Sequence, residues 1–176
     1  MTDVDNELPT YTGNLKAEYY QAYFGDQWGY YLPIMIDFES GKKFSFNVWA
    51  FFFGMLWQLY RRLYLAILIF IIIVIVESAL ENWVFSYWSL TKLNTILINF
   101  ITTIIFGIIY GYTGNYFLMR KLQDKISQIL ATENDEGLIL EKIRKAGSKN
   151  TLGLTLVLIS VFLIFLLALF YSKIWG

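Results

Sequence analysis

The chain has 176 residues, room for one compact domain and an appendage. Its residues are 57% hydrophobic and 19% aromatic, with a mean hydropathy of +0.50, above the roughly 45–50% apolar share of soluble chains, so it lacks the polar surface to cover itself in water. Formal net charge is +0, and there is neither cysteine nor histidine, which excludes recruitment of nucleic acid by a global field, disulfides, thiolate chemistry and the usual metal ligand and general base.

Residues 1–13 are polar, carry Asp3, Asp5 and Glu7, and read as a disordered tail with no secretory signal. Residues 14–43 read as a small N-terminal helical collar. Asn14 is placed to cap a first helix that stops at Gly25, and a second helix is expected over about 28–39, interrupted near Pro33. The rings of this section, among them Tyr19, Tyr20, Tyr23, Trp28 and Tyr31, suit either a seat at headgroup level or the packing of two short helices against each other.

Residues 44–60 (FSFNVWAFFFGMLWQLY) number seventeen, the bare minimum to cross a hydrocarbon core of roughly 30 Å. Asn47, Gly54 and Gln58 weaken a spanning role, and Arg61-Arg62 run into the next apolar stretch with no turn residues between. Residues 44–62 therefore read as an interfacial or re-entrant segment that bends at Gly54. A single helix is expected from about Met55 through Arg61 to Glu81, entering lipid at Leu63.

The expected spans are 63–80, 94–117 and 151–172. Residues 82–92 read as a loop with an aromatic belt. Residues 118–150 read as a charged loop of two amphipathic helices, with Leu118, Leu122, Ile126 and Ile129 in the first and Ile139, Ile143 and Ala146 in the second. Gly147 closes the second, and Glu141 stands four residues before Lys145 as a favourable pair. The basic residues Arg120, Lys121, Lys125, Lys142, Arg144, Lys145 and Lys149 lie in this loop, against Lys92 alone in the other. By the positive-inside rule the N-terminus and loop 118–150 are cytoplasmic. The alternative has four spans, with 44–60 crossing and the N-terminal tail exported. No repeat supports a duplicated transporter architecture.

Three groups of residues carry candidate roles. In the second span Thr95, Asn99, Thr103, Gly107, Gly111 and Asn115 recur every four residues, a face of small and polar side chains that lets helix backbones approach closely in lipid. It suits packing against the first and third spans, a seam between copies, or a polar path. Glu77 is the one acid inside an expected span, a default functional candidate, though about 21 Å from Leu63 at roughly 1.5 Å per residue it lies toward the outer edge. Asn47, Trp49, Gly54, Trp57, Tyr60, Arg61 and Arg62 form a candidate interfacial motif. Asn47 can cap the helix after it, the rings suit a membrane interface, and the arginines can reach phosphate headgroups. The basic loop could also attract anionic headgroups, diluted by Asp124, Glu133, Asp135, Glu136 and Glu141.

Residues 22–25 (AYFG), 30–33 (YYLP) and above all 43–64 (KFSFNVWAFFFGMLWQLYRRLY), with 111–116 (GYTGNY) and 143–147 (IRKAG), resemble domain-of-unknown-function family 2628 over about residues 20–150. The resemblance implies a small bacterial membrane protein with no assigned reaction. Relatives commonly have Gly-Pro where this chain has Gly54-Met55, and a proline there favours a bend. Some relatives carry a cysteine ribbon ahead of the domain; this chain has none.

The expectation is an all-α membrane protein with three transmembrane helices, a re-entrant or interfacial aromatic helix and a small helical collar. It is a non-catalytic accessory, scaffolding or regulatory component of the bacterial inner membrane, with a small oligomeric channel or transporter as the alternative. No cofactor, metal or nucleic acid is expected. The expected partners are the lipid bilayer and either another membrane protein or a second copy.

Overall fold

The computed structural model describes residues 15–88 and 92–175. Regular structure in these residues is helical throughout: α1 (Ala17–Phe24), α2 (Trp28–Glu39), α3 (Val48–Tyr60), α4 (Tyr64–Trp88), α5 (Lys92–Thr132), α6 (Glu136–Ala146) and α7 (Thr151–Trp175). Three helices, α4, α5 and α7, are long and apolar enough to cross a membrane, and α3 is a shorter apolar helix.

Local chemistry explains most of the boundaries. Gly25, at φ 53°, stops α1 and opens a one-turn 3-10 helix into α2. The expected cap at Asn14 lies outside the described residues, and Lys16 stands at the N-cap without a side-chain bond. The expected interruption at Pro33 is absent, because α2 runs through it. The proline ring sits on the exposed face, opposite buried Tyr31, Leu32, Met35 and Phe38, so its missing N–H disturbs no packing. Asp135 caps α6 by accepting from Leu138 N–H at 2.8 Å, and Gly147 ends that helix. Ion pairs here join Lys142 to Glu133 at 2.7 Å and Lys16 to Glu136, beside the expected Glu141 and Lys145 pair.

The expected helix through Arg61 does not form. The chain leaves α3 at Tyr60 and turns at residues 61–63, with Arg62 left-handed at φ 57°. Leu63 N–H donates to Gln58 O at 2.8 Å and Arg62 N–H to Leu59 O at 3.0 Å, closing the helix end as a left-handed C-terminal residue does. Lys121 Nζ donates to the freed carbonyls of Arg61 (2.9 Å) and Arg62 (3.3 Å). A single left-handed residue thus reverses the chain where no turn signal stands in the sequence.

Two expected boundaries are crossed by continuous helix. Residues 82–88 extend α4, and the first amphipathic helix of the 118–150 stretch is the continuation of α5. α5 therefore has two halves with different surroundings. Its N-terminal half exposes Ile96, Leu97, Phe100, Ile101 and Ile105, whereas Leu118, Leu122 and Ile126 in its C-terminal half are fully buried. That second half is the spine of the collar. Tyr20, Tyr23, Leu32 and Met35 of α1 and α2 and Ile139 and Ile143 of α6 pack with it into one core. Gly147 permits the contact of the α6 end with the Tyr23 carbonyl, since a Cβ there would overlap that oxygen.

Candidate functional site

The segment 44–62 is where collar and membrane helices meet. Asn47 Oδ1 accepts from Ala50 N–H at 2.9 Å and so caps α3. Its Nδ2 donates to Asn115 Oδ1 at 2.8 Å, and its backbone N–H to Gly111 O at 2.8 Å. Asn115 Nδ2 donates onward to Ser45 Oγ at 3.0 Å. Both asparagines are buried, and each uses its carbonyl and amide ends, so the pair is a satisfied polar lock instead of a burial penalty.

From this lock α3 follows α5 deeper and then returns. Phe51 packs on Gly107, where a Cβ would stand 3.1 Å from its ring. At Gly54 the backbone turns with φ 45° and ψ −118°, against the ring of Tyr110. Trp57 then lies against Gly114, and Lys121 holds the segment's last carbonyls. The contacts on α5 thus run from Asn115 down to Gly107 and back past Gly114 to Lys121. Both ends of the segment sit on the collar side, which is a re-entrant path.

The small-residue face is used by this segment in its lower half. Gly107 meets Phe51, Gly111 meets the Phe46 ring (2.5 Å from an added Cβ) and Gly114 meets Ala50 (2.8 Å). The packing partner is α3, in place of the expected first and third spans, because the re-entrant helix occupies the groove they would have filled. Gly114, absent from the four-residue ladder, completes the contact. It stands three after Gly111 and seven after Gly107, a helical spacing that a search on fours alone passes over. In the upper half Asn99 and Thr103 are exposed, with Thr103 Oγ donating to Asn99 O of its own helix at 2.8 Å. Thr95 is half-buried.

Glu77 lies on α4 one turn from Glu81, half-buried. Glu81 Oε1 accepts from Thr102 Oγ of α5 at 3.1 Å, a tie between these two helices. Of the aromatic motif, Trp57 is buried whereas Trp49 is 61% exposed on the apolar flank. Tyr60 O accepts from Asn150 N–H at 2.9 Å, fixing the start of α7 to the end of α3. α4, α5 and α7 all pack on α3, the common contact of the three long helices.

Arg61 departs most from expectation. It does not extend toward headgroups as a surface anchor; it is buried, with Nη2 donating to Gln27 Oε1 at 2.5 Å and to Tyr31 Oη at 2.7 Å. Its guanidinium stacks over Tyr31 (4.9 Å) and Tyr60 (5.6 Å). The left-handed turn at Arg62 directs the chain so that Arg61 faces the collar. No ion pair to Arg61 exists among the described residues, and its Nε has no partner. Gln58, fully buried three residues earlier, has no side-chain hydrogen-bond partner among the described residues.

Charge around this turn is lopsided. Burial, with Arg62, Lys125 and Arg61 nearby, pulls the Lys121 ammonium down to about 8. Burial pushes the Tyr23 phenol up to about 12 against the pull of Arg61 and Arg62. Burial also raises Tyr31, so it stays neutral beside Arg61. No cluster of three potential metal ligands occurs among the described residues. The arrangement can hold the collar against the membrane helices, and it gathers positive charge at their junction, where no carboxylate pairs with Arg61 among the described residues.

Neither a curated protein nor a solved structure matches the chain significantly. The model of the family described as Protein of unknown function (DUF2628) matches residues 16–123. The match spans α1 to α4 and α5 up to its collar half, and stops before the 143–147 stretch that also resembles the family. With the polar lock, the glycine bend and the Arg61 turn all inside the matched region, the chain belongs to the family of proteins of unknown function DUF2628.

Proposed function

We propose that this protein is a non-catalytic accessory component of the bacterial cytoplasmic membrane that scaffolds or regulates a partner membrane protein. The observation that carries the reading is the continuity of α5, one helix from Lys92 to Thr132. Its first half is apolar and exposed and its second half is the core of the collar. A displacement of either end is transmitted along one rod, and α3 locks that rod to the other two long helices. The basic residues of 118–150 support a cytoplasmic collar by the positive-inside rule.

Among apolar neighbours, Glu18, Gln21, Asp26 and Arg144 line a concave collar surface open to a partner. These side chains are exposed and lie outside the core, so they can be changed without unfolding it. The test is affinity purification of the full chain from native membranes, with and without Glu18→Lys and Asp26→Lys. A stoichiometric membrane partner that is lost in the double variant is the expected result. A chain isolated alone, together with liposome ion flux abolished by Glu77→Gln, would establish the channel reading in its place.

A further inference from the structure

A cavity of 440 Å³ opens beside the re-entrant segment, within the size range of small-molecule sites. Its walls are apolar and aromatic: Trp49, Phe53, Leu56 and Trp57 from α3, with Leu154 and Leu158 from the first turns of α7. Its other end is polar, formed by Arg61 with Gln27, Tyr31 and Tyr60. Among the described residues that line it there is one formal charge, and that charge is positive.

Three features make this end an anion seat. The guanidinium is always protonated, is 6% exposed, and has no carboxylate partner among the described residues. Both of its hydrogen bonds leave through Nη2, so Nη1 makes none among the described residues. Tyr31, held neutral by burial, does not cancel the charge. A buried charge is costly unless compensated, and an entering anion supplies the compensation that the described residues do not.

The geometry points to a binding site for one anionic phospholipid, its phosphate at Arg61 and an acyl chain along Trp49, Phe53, Leu154 and Leu158. The cavity reaches the apolar flank of the molecule through Trp49 and Phe53 (61% and 51% exposed), with Leu158 (49%) beside them, so a lipid of the surrounding leaflet can enter sideways. Charge-assisted bonds from guanidinium to phosphate are the strong kind, and the apolar walls take the chain that a free phosphate lacks. This assignment is independent of the accessory role above.

The test is native mass spectrometry of the full-length protein, delipidated in detergent and titrated separately with phosphatidylglycerol, phosphatidylcholine and oleate. The expected result is one retained phosphatidylglycerol at a concentration about tenfold below that needed for phosphatidylcholine, whose choline cation offsets the phosphate charge that Arg61 attracts. Leu154→Trp fills the apolar end, leaves Arg61 in place, and abolishes that retention. Arg61→Gln reduces the preference for the anionic lipid to about onefold; should that variant fail to fold, Leu154→Trp decides alone. Equal retention of the two phospholipids, retention unchanged in Leu154→Trp, or retention of oleate without phosphatidylglycerol would overturn the assignment.

Discussion

The two halves of α5 obey different solvents. Its collar half buries Leu118, Leu122 and Ile126 completely, against rings and aliphatic side chains of three other helices. Its outer half exposes Ile101, Ile104 and Ile105 at 41–55%, and the other long helices, α4 and α7, expose their isoleucines and leucines likewise. Apolar side chains are abundant in both, so composition does not separate them; partners do. In the collar, burial by protein supplies the stabilisation. In the outer half lipid is the solvent, and the Glu81–Thr102 bond ties α4 to α5 there.

One substitution made twice breaks or sharpens this comparison. Leu122→Ala opens a cavity in a fully buried site and is expected to cost about 2–5 kcal/mol. Leu163→Ala, at a side chain 52% exposed to the bilayer region, is expected to stay within about 0.5 kcal/mol. Thermal unfolding in nanodiscs, followed by tryptophan fluorescence, measures both. Equal losses would mean that the outer helices are packed as tightly as the collar.

Next in size is the polar lock between the two regions. Asn47→Ala removes the α3 cap and leaves buried Asn115 without its amide donor, an expected loss of about 1–3 kcal/mol. Asn115→Ala in the same background should add little, because the shared bond is already gone. Full additivity in that double-mutant cycle would show that the two asparagines act separately.

The last effect is a slope with pH. The Lys121 ammonium is held down to about 8 in the folded chain from an unfolded value near 10.5. Between those values the unfolded state binds the proton and the folded state does not, so stability rises with pH from about 8 toward 10. Tyr23, raised to about 12 from 10.0, reverses the trend above about 10, where the unfolded phenol ionises first. Lys121→Gln should flatten the rise between pH 8 and 10 in the same unfolding assay; an unchanged slope would place its cause elsewhere.

What was legible in the sequence follows from which signals are local. The three long apolar helices, the Asn47 cap, the bend at Gly54 and the stops at Gly25 and Gly147 each rest on a residue and its immediate neighbours, and each is present. The partners of the small-residue face were not legible. Asn47 and Asn115 are 68 residues apart in sequence, and an apolar pattern names a buried face without naming what covers it. The continuity of α5 was hidden because its buried face changes from lipid-facing to core-facing without a break in helical period. The burial of Arg61 was hidden for a related reason: its inward turn depends on a left-handed residue with no glycine to announce it.

The central claim is that residues 44–62 enter and leave on the collar side. The chain has no native cysteine, so single substitutions report cleanly. Ser40→Cys, Ser148→Cys and Ser86→Cys place one exposed thiol each before the re-entrant segment, before α7 and near the far end of α4. An impermeant thiol reagent applied to intact spheroplasts should label Ser86→Cys alone, with Ser40→Cys and Ser148→Cys reacting only after the membrane is opened. Labelling of Ser40→Cys from outside while Ser148→Cys stays protected would make 44–60 a fourth span and contradict the account.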